Sequence, residues 1–235
     1  KNRTNGAIDI LGSERLATIA RFPLHVLLSP GRYANFSDSD EETVFLPGLI
    51  ARLAERTGVE ELRGLLGEPA PVRTFTHRFH EVWRNMLWWD GSRPTPPQPY
   101  DVLLESAGVA RLVAITASGA SVVLAAKAGH NGENHNQNDV GTFILHVDGE
   151  TFLCDPGRGL YSVQYFSPQR YENIFANSFG HSVPRVGGRL QSPGPERRGK
   201  VVRLETEGKT KRVVMSLEGA YEVPGLERLQ RTMTL

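Results

Sequence analysis

Cysteine is almost missing from this chain: Cys154 is the only one among 235 residues, so no internal disulfide can form. Its neighbours Phe152 and Leu153 predict a buried strand position and an inert thiol. No run of about 18 apolar residues occurs, which excludes membrane insertion through an apolar helix. The opening stretch Lys1-Asn2-Arg3-Thr4-Asn5-Gly6 has no apolar segment of the kind a signal peptide carries. Excess charge of either sign is also lacking. With 27 Lys and Arg against 26 Asp and Glu the net charge is +1, and no basic block stands out. Nucleic acid and anionic membranes are therefore poor candidates for the main partner. There is no internal repeat or low-complexity tract, and the compartment does not follow from these residues; a bacterial periplasm or cytoplasm is the working expectation.

What is present is a globular composition, 39% hydrophobic and 23% charged, long enough for one large core or two modest ones. Glycine at 24 and proline at 15 together exceed the usual share of roughly 12%, which predicts many turns and argues against a purely helical protein. The first ninety residues carry helical spacing. Ser13 reads as an N-cap before Glu14–Ala20; Leu49, Ile50, Leu53 and Ala54 form one stripe and Leu62, Leu65 and Leu66 another, with Gly58 and Gly67 as stops. From Arg73 to Asp90, the residues Phe75, Phe79, Val82, Trp83, Met86 and Leu87 suit one buried helix face, and Trp88-Trp89 read by default as packing residues. His77 and His80 lie three apart on that helix, a spacing that alone is weak support for a metal.

Prolines 94, 96, 97 and 99 forbid both helix and central strand, and mark residues 91–100 as a linker. Beyond it the period falls to two. Residues 109–115, 121–126, 142–147, 150–154, 201–205 and 212–217 read as strands, with Asp148-Gly149 and Glu207-Gly208 as hairpin turns. Six or more antiparallel strands in under 140 residues predict a sandwich. Helices up to residue 90 and a sandwich from 101 to 235 make an α+β, two-domain chain whose ends both read as cut from something larger.

The densest polar cluster runs from Gly129 to Asp139, with no aliphatic side chain and two convincing strands around it. Its histidines and asparagines must be solvated, ligand-binding or mutually bonded. A loop of that length and richness favours function over a plain hairpin. Hairpin geometry brings Asp155 of Asp155-Pro156-Gly157 near Gln137 and Asp139. On spacing alone, the Asp-Pro-Gly could equally be an ordinary turn. His181, flanked by glycine and serine, can supply an imidazole or be an ordinary loop residue bonded to backbone.

Four blocks carry a resemblance: Gly129 to Phe143, then Asp155-Pro156-Gly157, then Phe166 to Tyr171, then Gly180-His181-Ser182-Val183-Pro184. In order and spacing they resemble the heparinase II/III-like polysaccharide lyases, with the alginate oligosaccharide lyase and exo-heparinase type nearest. The stretch from Asn5 to Trp89 is similar to the last helices of that family's (α/α) toroid. The resemblance implies an antiparallel β-sandwich docked on an incomplete toroid, a cleft between them, and β-elimination at a uronic acid of an acidic polysaccharide or oligosaccharide. His135 falls on the family's cleft histidine and is the catalytic candidate. Asn134 and Asn136 are candidates to hold the substrate carboxylate, and Tyr161, Tyr165 and Arg170 border the cleft. The catalytic tyrosine and the carboxylate-neutralising Asn or His of the family would lie before Lys1, so the isolated chain is expected to be inactive.

A structural divalent cation, zinc or calcium, is implied at Gln137, Asp155 and His181, with no organic cofactor. Glutamine stands where the family's second histidine is usual, and it suits a hard cation better than zinc. Two other classes stay open: a non-catalytic carbohydrate-binding or scaffold sandwich, and a cupin-like metal hydrolase, which the glutamine disfavours.

Overall fold

The computed structural model describes residues 5–66, 79–91, 97 and 100–235. They form two compact units, one from residues 1–33 and 42–98, the other from Ala34–Glu41 and Pro99–Leu235.

The first unit holds the helices α1 (Glu14–Ala20), α2 (Phe22–His25), α3 (Pro47–Thr57) and α4 (Phe79–Trp88), with a short hairpin of β1 (Leu27–Ser29) and β2 (Arg32–Tyr33). The Ser13 hydroxyl accepts from the Leu16 N–H and starts α1, and Gly58 ends α3 in the left-handed conformation. Ile50, Ala54, Leu62, Leu65 and Leu66 join Ala20, Leu24 and Tyr33 in one core. The Leu62–Leu66 stripe is built on a 3₁₀ turn, Glu60–Leu65, rather than an α-helix.

The expected buried face of residues 73–90 does not form as read. Residues 73–78, with His77, lie outside the described residues, as does Gly67. On α4, Phe79, Trp83, Met86 and Leu87 are exposed, and Trp88 and Trp89 largely so. The reason is that α4 meets α3 through a different face. Asn85 Oδ1 accepts from the Gly48 N–H at 3.0 Å, and a Cβ on Gly48 would lie 2.6 Å from the Arg84 carbonyl oxygen.

The second unit is an antiparallel sandwich. Strands β3 (Val102–Leu104), β4 (Val109–Ile115), β5 (Ser121–Lys127), β7 (Phe143–Val147) and β8 (Glu150–Leu153) form one sheet in the order β3-β4-β5-β7-β8. The other, in the order β11-β10-β9-β6, is made by β6 (Gly129–Asn131), β9 (Gly194–Glu205), β10 (Arg212–Ser216) and β11 (Gln230–Thr234). Alternate residues Ala110, Leu112, Leu124 and Ala126 of the first sheet face Val213 and Met215 of the second, as period-two patterning requires. Asp148 and Gly149 both have positive φ, the geometry of a two-residue hairpin turn between β7 and β8. Because β8 is an edge strand and Cys154 lies one residue past it, the thiol is exposed rather than buried.

The segment Ala34–Glu41 sits in the helical stretch by sequence but packs with the sandwich. Asn35 donates to the Asp155 carbonyl at 3.1 Å, Arg158 pairs with Asp40 at 3.1 Å, and Thr151 donates to Glu41 at 2.8 Å.

Candidate functional site

The polar loop between β6 and β7 is partly interior. Asn136, Gln137, Asn138 and Asp139 are all buried, while Asn134 and His135 are exposed. Buried polar groups need partners, and Gln191 supplies many of them. Its Oε1 accepts from the Asn131 amide and the Val140 N–H, both at 3.1 Å, and its Nε2 donates to the Val140 carbonyl at 2.7 Å. The Asn138 N–H reaches the Ala176 carbonyl at 2.8 Å, which ties the loop to the long segment before β9.

So braced, the loop turns outward at His135, whose φ of 56° is left-handed. Histidine is among the few non-glycine types found there, and such outliers concentrate at functional sites. Its side chain is 61% exposed, and its Nδ1 lies 3.3 Å from Asp38 Oδ2. Asp38 follows Ser37, another left-handed residue with φ 62°. Sequence reading does not find Asp38, yet its carboxylate is the hub of the site. The Arg170 Nη2 donates to both its oxygens at 2.9 and 3.0 Å, the Tyr165 hydroxyl donates at 2.7 Å, and the Tyr161 hydroxyl and Gln137 amide donate at 3.2 and 3.3 Å.

These bonds set the protonation of the cluster. Burial would push the Asp38 carboxyl up, but the hydrogen bonds from Tyr165 and Arg170, the Arg170 charge and the His135 bond outweigh it and hold the group below the usual carboxylate range. Burial first, then the bond to Asp38, raises Tyr165; Tyr161 is raised too, by desolvation and by the Asp38 charge. Both phenols stay protonated at neutral pH. An ionised Asp38 only accepts, so the hydrogen of the His135–Asp38 bond sits on Nδ1. Among the described residues Nε2 has no protein partner.

His135 borders a cleft of about 430 Å³ together with Asn134, Asn136, Tyr165, Phe166, Arg170 and Tyr171. Tyr161, Tyr165 and Phe166 form an aromatic group with ring centroids 4.7 to 6.0 Å apart, and Phe166 is exposed. The Asn136 amide donates to Tyr171 and Asn138, leaving its buried Oδ1 without a partner. Most of the Arg170 N–H groups are engaged. Besides Asp38, Arg170 donates to the Asn136 and Tyr165 carbonyls at 2.8 and 3.1 Å and stacks over the Tyr165 ring at 4.1 Å. It is a framework cation of the cleft floor more than a free hand for substrate.

Beneath the cleft, the structure brings Asp155 and His181 together, with His181 Nδ1 2.9 Å from Asp155 Oδ2. With Asp139 they make a buried group whose ligand atoms lie within 4.8 Å of one another, a set that could hold a metal. Gln137 Nε2 donates to the Gly157 carbonyl at 2.7 Å and its buried Oε1 has no partner. Burial would lower His181, but the Asp155 bond and charge prevail and raise it. Lys127, one residue past the strand read from the sequence, donates to both Asp139 oxygens at 2.7 and 2.9 Å.

This arrangement, a histidine oriented by a buried carboxylate at the mouth of an aromatic cleft, can be set beside known proteins. Among solved structures the chain is similar to a heparan sulfate lyase from Pedobacter heparinus (TM-score 0.56, 20% identity, 90% of this chain and 29% of that one). It is also similar to two structures of heparinase III. For one the TM-score is 0.55 at 19% identity, covering 93% of this chain and 31% of that one. For the other it is 0.54 at 16% identity, covering 87% and 28%. This chain thus spans under a third of the length of these structures. No curated protein sequence gives a significant match. The heparinase II/III-like C-terminal family profile matches residues 96–235, more than half of the sequence, and the chain accordingly belongs to the heparinase II/III-like family.

Proposed function

We propose that this chain is part of a polysaccharide lyase that cleaves a uronic-acid-containing glycan of the heparan sulfate class by β-elimination, with His135 as the group that exchanges a proton with the sugar. In this reading the helical unit is the end of an (α/α) toroid, and the rest of that toroid brings the remaining catalytic groups.

The observation that carries the reading is the Asp38–His135 pair. In β-elimination the C5 proton leaves, its electron pair forms the C4–C5 double bond, and the C4–O4 bond breaks as that oxygen takes up a proton. A histidine fixed with hydrogen on Nδ1 offers a basic Nε2 for the first transfer or, once protonated, an acid for the last. Asp38 acts through His135 as a positioning residue, choosing the tautomer and stabilising the imidazolium while it carries the proton. Asn134, exposed at the cleft beside His135, is the proposed hydrogen-bond donor to the substrate carboxylate. The exposed rings of Phe166 and Tyr161 offer apolar faces to a sugar ring, backed by the buried Tyr165. No step of this chemistry passes through a metal.

The test uses the full-length protein incubated with heparan sulfate, alginate and chondroitin, reading the ultraviolet absorbance of the conjugated product. A rise with heparan sulfate is expected. No rise with any uronate glycan would remove the lyase reading, and binding without turnover would move the chain to a carbohydrate-binding scaffold.

A further inference from the structure

The cation that the family resemblance implies does not fit the atoms beneath the cleft as they stand. Lys127 ends β5, and its side chain is 3% exposed. An ammonium carries three N–H bonds. Here they meet both oxygens of Asp139 at 2.7 and 2.9 Å and the Ser37 hydroxyl at 3.2 Å, with Glu133 Oε2 a further 3.5 Å contact. Asp155 is equally occupied: Oδ2 accepts from Thr142 at 2.9 Å and faces His181, and Oδ1 accepts from the Gly157 N–H at 3.1 Å. His181 Nε2 faces the Phe175 carbonyl at 3.2 Å, so it must donate there, while Nδ1 is taken by Asp155.

Every ligand atom of the Asp139, Asp155 and His181 group therefore already has a protein partner. A divalent ion bound to Asp139 would have to expel a buried ammonium and leave that charge unpaired. Gln137 Oε1 and Asn136 Oδ1 are buried acceptors without partners in the same loop, and neutral amide oxygens alone do not compensate the desolvation of a divalent cation.

We infer that the Lys127 ammonium is the structural cation of this centre, standing where a divalent metal would otherwise neutralise Asp139 and Asp155. The loop that carries His135 is then braced by a covalently attached charge. Its order depends neither on metal supply nor on chelators, whichever glycan the cleft accepts.

The experiment is elemental analysis of the purified chain, joined to its thermal midpoint with EDTA, with added Zn²⁺ and with added Ca²⁺. The expected result is no stoichiometric ion and a midpoint that none of the three additions moves. One ion per chain whose removal by EDTA lowers the midpoint would overturn the inference. Lys127→Ala supplies a second reading: it should lower the midpoint and make it respond to Zn²⁺, since the vacated carboxylates can then take an ion. A variant as stable as the parent chain would mean that the ammonium does not neutralise the centre. If the variant fails to fold, the measurements on the unaltered chain decide alone.

Discussion

Replacing Asp38 with alanine tests the hub of the site. Its side chain is 1% exposed and that of its partner Arg170 12%. Removing one member of a buried pair typically costs about 3–5 kcal/mol, because the other charge stays behind without its counter-ion. The Tyr165 hydroxyl would also lose its acceptor, a further cost of about 1–3 kcal/mol. Against this, Arg170 keeps the Asn136 and Tyr165 carbonyls and Gln137 keeps Gly157, so a net loss near ~3 kcal/mol is expected. All three tryptophans, Trp83, Trp88 and Trp89, lie in the helical unit. Urea unfolding should therefore be followed by far-ultraviolet circular dichroism, which reports the sandwich. Asp38 is held below its ordinary pKa, so its contribution is complete above the unfolded value near ~4 and is lost as pH falls through the lower folded value. The gap between parent and variant should close in acid. Nitrogen chemical shifts of His135 should show hydrogen on Nδ1 in the parent and a mixture in the variant. A loss under about 1 kcal/mol, the level of an exposed pair, would refute the reasoning.

Three further outcomes follow from the same geometry. In Gly180→Ala the new Cβ would lie 2.1 Å from the Ile174 carbonyl oxygen, a backbone atom that cannot swing aside, so a thermal melt should show a loss of about 1–3 kcal/mol and NMR a displaced His181 ring. Gln191→Leu leaves both Val140 backbone groups without partners and the Asn131 amide with the Ser192 carbonyl alone, and should cost about 3 kcal/mol by urea unfolding. Phe166→Ala should leave stability unchanged and weaken heparan sulfate oligosaccharide binding by roughly three- to tenfold in calorimetry, the scale of one aromatic contact.

The sandwich was legible because each strand buries alternate residues on one face, and Ala110-x-Leu112 or Val213-x-Met215 cannot satisfy that at another period. The approach of His181 to Asp155 was legible from motif order. Asp38 was not: it lies 97 residues before His135 within Ser37-Asp38-Ser39-Asp40, a run that looks like any solvated turn. What distinguishes it is burial by a distant loop, which no local pattern encodes. Lys127 was hidden for a related reason, since a lysine closing an apolar strand reads as an exposed end until its counter-ion at Asp139 is placed. The exposure of Cys154 and of the α4 aromatics shows the reverse limit. Apolar spacing tells which face is apolar, and topology decides whether anything covers it.

The central claim is that His135 moves a proton in a cleft its own chain prepares. The most direct measurement is turnover of heparan sulfate by the full-length protein carrying His135→Asn, a replacement that tolerates the left-handed backbone at this position. A loss of about 10²–10⁴ in kcat with an unchanged thermal midpoint is predicted. Undiminished kcat in a folded variant would contradict the account.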